Sequence, residues 1–150
     1  MITEYDDEPV RGLPGELPEG ETLLWQGSPD WRLLARSAFF TRIVGLYFAA
    51  LVALAIYNGS TSGVIATMIA GALGIGLLML YAWLVARTTV YTLTSRRVVL
   101  RVGIALNMCI NLPLAKIGGA NLRSLGPVEG DLALQLIGKH NLGYMVLWPH

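Results

Sequence analysis

Charge is scarce in this chain of 150 residues: only 14% are Asp, Glu, Lys or Arg, against roughly a quarter in typical soluble proteins. With 54% of positions apolar and a mean hydropathy of +0.55, that shortage argues for a chain placed in a membrane. Cysteine is almost absent. The lone Cys109 excludes an internal disulfide and any multi-cysteine zinc or iron–sulfur site. Two histidines, His140 and His150, leave little from which to build a metal centre, so no metal or other cofactor is expected. No basic start followed by an apolar run opens the sequence MITEYDDE, so a cleaved secretory signal is not expected. The bases are too few and too scattered for the clustered footprint that phosphate backbones require, which argues against a nucleic-acid partner.

The few charges are segregated. Eight of the ten acids lie in the first 30 residues and ten of the eleven bases follow them. Residues 1–22, acidic and carrying Pro9, Pro14 and Pro18, read as a disordered or extended arm whose acids serve solvation. Residues 23–42 read as an amphipathic juxtamembrane segment. Within it Asp30 can cap a helix from Trp31 that is either a surface helix or a cytoplasmic extension of the first span.

From Val64 to Ala86 no charge interrupts the apolar run, a helix of roughly 34 Å that can cross a hydrocarbon core of about 30 Å. Ile43–Tyr57 is short for a span and borrows another turn from Ala38, Phe39, Phe40 and Thr41 if Arg42 snorkels its guanidinium to the headgroups. Spans at about 40–57 and 64–86, joined by Asn58–Gly63, predict a transmembrane hairpin over 43–86; the alternative is one span plus a buried or re-entrant segment. Arginines flank both outer ends and none lies in the loop, so both termini should be cytoplasmic. Membrane-surface contacts are assigned to Arg32, Arg36, Arg42, Arg87, Arg96 and Arg97. Small residues recur at every fourth position, Gly45, Ala49 and Ala53 in the first span and Ala66, Ala70 and Gly74 in the second. Such stripes either join the two helices to each other or dock a foreign transmembrane helix. A homodimer is a further candidate assembly.

After Arg87 the apolar period changes to two. Thr88–Thr94 and Arg97–Val102 predict a hairpin, Ile104–Leu112 a half-buried strand, and Gly119–Leu125, Leu132–Ile137 and Tyr144–Trp148 three more. The expected fold is therefore membrane α+β, a two-helix transmembrane hairpin followed by a small antiparallel β-domain over 87–150. The text ends just after a strand, which suggests truncation at the C-terminus.

An enzyme needs acids, bases or nucleophiles converging in a pocket. Downstream of the spans only Glu129, Asp131, His140 and His150 qualify, with Glu129 and Asp131 flanking Gly130 in a turn. Cys109 shares the polar register with Asn107 and Asn111 and has no neighbouring base. No span contains a histidine, which excludes histidine ligation of a pigment there. No catalytic residue is expected.

The order LPEGETLLWQGSPDW (17–31), two spans, VYTLTSRRVVLRVGIALN (90–107), INLPLAKIGGANLR (110–123), GDLALQLIG (130–138) and YMVLWPH (144–150) resembles the PuhB-type photosynthetic-complex assembly proteins of purple bacteria. More broadly it resembles bacterial PH-like domain proteins anchored by two helices. The resemblance implies a PH-like β-domain and a non-enzymatic factor of the intracytoplasmic photosynthetic membrane. Its implied partners are reaction-centre and core antenna subunits. A general two-span PH-like membrane protein with an envelope or lipid-related role is the alternative.

Overall fold

A computed structural model describes residues 12, 13, 15–104, 108–125 and 130–138. They form two units: a β unit from the chain up to Gly27 and from Thr89 onward, and a helical unit over Ser28–Thr88.

In the β unit, strands β1 (Leu23–Gly27), β2 (Val90–Thr94), β3 (Arg97–Val102) and β4 (Met108–Pro113) form an antiparallel sheet in sequence order. A 3₁₀ turn at Leu114–Lys116 leads into the hairpin of β5 (Ile117–Ser124) and β6 (Gly130–Leu136). The alternation read from the sequence sets the register. Leu100 lies opposite Ile110 and Val98 opposite Leu112, and Val102, Ile110 and Leu112 form a core on which Leu134 and Leu136 of β6 pack. A two-stranded hairpin is marginal by itself, so this packing is what holds β5 and β6. Val90, Thr92 and Val99 occupy the opposite face and are buried as well.

Two expectations need correction here. Leu23–Gly27 is not the start of a juxtamembrane segment but the edge strand of the sheet, with Gln26 Nε2 donating to Thr92 Oγ1 at 2.9 Å. The arm over 1–22 is not extended throughout: Leu13 is buried, and Gly12 sits so close to Val90 that a Cβ there would lie 2.7 Å from Val90 Cγ1. Strand bounds shift at several ends; β2 starts at Val90 because Thr88 closes a helix, and Ile104 lies before β4 in a bend. The strand expected at Tyr144–Trp148 lies outside the described residues, as do Glu129, His140, His150 and residues 1–11.

The helical unit holds α1 (Trp31–Ser37), α2 (Thr41–Tyr57) and α3 (Thr61–Thr88). Asp30 caps α1 as expected, its carboxylate accepting from the Arg32 and Leu33 amides at 2.7 and 3.1 Å. The chain then breaks rather than running on into α2. Phe40 takes a left-handed backbone (φ 50°) and the two helices meet at 57°. The loop is shorter than expected, three residues, because Ser60 Oγ accepts from the Gly63 amide and starts α3 at Thr61.

Among the described residues one helix, Thr61–Thr88, is long and apolar enough to cross a membrane; its most apolar window has mean hydropathy 2.2 and is only 6% buried within the chain. The α1–α2 pair reaches that standard only if the bent pair counts as one span. The helical hairpin is thus observed, whereas its two-span character is not established by length alone.

Candidate functional site

The α2–α3 contact is built on a heptad-like seam. On α3 the less exposed positions include Val64, Thr67, Gly71, Gly74, Ile75, Leu78, Ala82 and Val85, with Gly71, Ala82 and Val85 buried; α1 as well as α2 packs on this helix. Spacing of three and four residues keeps one face of a helix toward its neighbour. Among the glycines of this face the tightest position is Gly71, where an added Cβ would lie 2.9 Å from Phe48 Cγ. Gly71 was not among the residues singled out from the sequence, because the every-fourth-residue stripe through Ala66, Ala70 and Gly74 passes beside it.

The stripes themselves divide. Gly45 and Gly74 are half-buried; a Cβ added at Gly45 would lie 3.9 Å from Ile75 Cδ1, and one added at Gly74 would lie 3.8 Å from Phe48 Cε2. Ala49, Ala53, Ala66 and Ala70 are exposed on the outer surfaces of the hairpin. They do not join α2 to α3, which removes that reading for four of the six residues. Beside the seam runs an apolar groove of about 610 Å³ lined by Val44, Gly74, Leu77, Leu78, Leu80, Tyr81 and Leu84. Gly74 leaves room in its wall, and Phe39 closes on Tyr81 with ring centroids 5.3 Å apart.

The six arginines named from the sequence fall in three places. Arg32, Arg36 and Arg42 line a second groove, of about 500 Å³, at the α1–α2 bend. Arg87 lies 4.9 Å over the Trp83 ring near the end of α3, a cation–π contact. Arg96 and Arg97 occupy the β2–β3 turn, where they part company. Arg96 is exposed, but Arg97 grips Glu21 through Nε–Oε1 at 2.7 Å and Nη2–Oε2 at 2.8 Å. This bidentate pair corrects two expectations: Glu21 is not a solvating acid, and Arg97 is not a free surface cation.

The Thr94 hydroxyl also donates to Glu21 Oε1 at 2.6 Å, and Ser95 and Thr22 exchange two bonds, of 2.9 and 3.1 Å. The segment ahead of β1 is thereby tied to the β2–β3 turn. Hydrogen bonds from Arg97 and then Thr94 hold the Glu21 carboxyl below its ordinary pKa of 4.5, and Glu21 in turn raises that of Arg97. The pairing of a glutamate in LPEGETLL with an arginine in TSRR was hidden in the sequence by 76 residues of separation.

Of the remaining candidates, Cys109 is exposed opposite Arg101, and Asp131 pairs in register with Arg123 across the β5–β6 hairpin. Among the described residues, no group of three His, Cys, Asp or Glu side chains is placed to hold a metal ion.

The sequence model of the bacterial PH domain matches residues 36–139. A Rhodobacter capsulatus protein described as an uncharacterized 23.7 kDa protein in the puhA 5′ region is 40% identical over 157 aligned positions, which cover 98% of this chain and 73% of that protein. No solved structure matches. The family match takes in α2, α3 and strands β2 to β6, and with it the chain belongs to the bacterial PH domain family.

Proposed function

We propose that the chain is a non-enzymatic membrane factor that helps assemble the photosynthetic reaction centre with its core antenna, holding partner transmembrane helices on its hairpin. The observation that carries this reading is the apolar groove beside Gly74 on a helix whose most apolar window is only 6% buried within the chain. In water such a surface would aggregate; in lipid it is satisfied, and close contact along a small residue is how helices associate there. The position of the Rhodobacter capsulatus relative in the puhA 5′ region supports a photosynthetic setting. Both α1–α2 and α3 then enter the bilayer, and the arginines around residues 32–42 and 87–101 keep both termini on the cytoplasmic side.

The membrane-surface role assigned to the arginines passes to Arg32, Arg36, Arg42, Arg87 and Arg96, since Arg97 is held by Glu21. A general PH-like membrane protein with a lipid-related role remains the second reading, favoured by the arginine-lined groove at the α1–α2 bend. The test is Gly74→Leu in the native host. The substitution fills the groove while raising hydrophobicity, so normal membrane levels of the variant with a reduced yield of absorbing photocomplexes are expected. A normal photocomplex yield would overturn the docking role of the groove.

A further inference from the structure

The groove at the α1–α2 bend has features that general attraction to a membrane does not require. Its polar wall is Arg32, Arg36, Thr41 and Arg42, and its apolar wall is Ile75 and Met79 of α3. Asp30 is the only acid between Ser28 and Thr88, and its carboxylate is engaged at the α1 cap. Arg32 rests 5.4 Å over the Trp31 ring. Arg36 and Arg42 have no carboxylate partner among the described residues. Thr41 is only 8% exposed, lines the groove, and its hydroxyl makes no hydrogen bond among those residues. No side chain caps α2, since its N-cap is Phe40, so the positive end of a 17-residue helix opens beside the same wall. Three exposed arginines, the Thr41 side chain and an uncapped helix start thus line one groove that contains no carboxylate.

The level of the groove identifies the anion's source. Met79 lies 18 residues along α3 from Thr61, roughly 27 Å, which is close to the thickness of a hydrocarbon core of about 30 Å. With the Asn58–Ser60 loop at one membrane face, the arginines stand at the headgroup level of the other, and Ile75 and Met79 lie at the depth of the first acyl carbons. We infer that this groove is a specific site for an anionic phospholipid, its phosphate held by Arg32, Arg36 and Arg42 with Thr41, and its acyl chain laid along Ile75 and Met79. The inference rests on the membrane placement proposed above and is independent of the photosynthetic partner.

The test is native mass spectrometry of the full chain released from mild-detergent micelles containing equal amounts of phosphatidylglycerol and phosphatidylcholine, with inorganic phosphate added separately. Phosphatidylglycerol adducts should dominate, and Arg36→Gln with Arg42→Gln should weaken them by about tenfold, the scale of losing charge-assisted bonds to a phosphate. Lys116→Gln with Arg123→Gln, which remove the same charge in the β unit at positions given no membrane role, should leave them unchanged. Equal losses in both pairs of variants would overturn a specific site in favour of diffuse attraction. Phosphate binding as tightly as the lipid, or no preference over phosphatidylcholine, would overturn it too. Carbonate extraction of native membranes separates the two failures: a chain that washes off refutes the membrane placement and the site with it. A chain that stays but shows no lipid preference refutes the site alone.

Discussion

Gly71→Ala and Gly74→Ala differ by one turn of α3 and by one contact, and their comparison isolates the packing of the hairpin. At Gly71 the new methyl would lie 2.9 Å from Phe48 Cγ, 3.1 Å from its Cβ and 3.2 Å from Cδ1. Carbon atoms rest at roughly 3.5–4.0 Å. Cβ and Cγ stand next to the backbone of α2, so the ring cannot swing aside; α2 must move away by several tenths of an ångström. Overpacking of this kind costs about 1–3 kcal/mol. At Gly74 the nearest atom is Phe48 Cε2 at 3.8 Å, an ordinary contact. Both substitutions gain the same helix propensity, up to about 1 kcal/mol, so that gain cancels. The Gly71 variant should therefore be less stable than the Gly74 variant by about 1–3 kcal/mol. Equilibrium unfolding of the full chain in mild detergent with rising dodecyl sulfate, followed by far-UV circular dichroism, measures the difference. Equal stabilities, or a more stable Gly71→Ala, would refute the seam assigned to α2 and α3.

Three other outcomes follow from the same structure. Glu21, with its pKa lowered in the fold, contributes stability that is present above its unfolded pKa near 4.5 and is lost as pH falls through the folded value. Acidification below pH 4.5 should thus loosen the β unit, seen as a tryptophan emission shift, and Glu21→Gln should weaken it at neutral pH while flattening that acid dependence. Phe40 holds φ at 50°, so Phe40→Gly should stabilise the helical unit by about 1 kcal/mol whereas Phe40→Ala, which keeps the strain, should not. Thr89 Oγ1 is buried without a hydrogen-bond partner among the described residues; Thr89→Val keeps the shape, removes that hydroxyl and should raise the melting temperature, with a gain of about 1 kcal/mol.

Elements governed by local periodicity were legible in the sequence. The β2–β3 hairpin was placed by the β-branched runs on either side of Ser95 and Arg96, and α3 by an uninterrupted apolar stretch. Elements set by distant partners were not. The strand Leu23–Gly27 opens on three consecutive apolar residues and shows little alternation; only pairing with β2, far along the chain, makes it a strand. The Glu21–Arg97 pair is hidden for the same reason. At the α1–α2 junction, Ala38, Phe39 and Phe40 carry no proline or glycine, so nothing local announces the break. On α3 the small-residue stripe pointed to Gly74 and missed Gly71. The heptad spacing from Val64 through Gly71 and Leu78 to Val85 was the signal that could have found it.

The central proposal is a membrane factor that binds photosynthetic subunits transiently, and a mild-detergent pull-down of the tagged chain from phototrophically grown cells tests it most directly. Mass spectrometry and absorption spectra of the eluate should reveal sub-stoichiometric, incomplete reaction-centre or antenna complexes. Stoichiometric mature complexes, or an eluate without pigment or photosynthetic subunits, would contradict it.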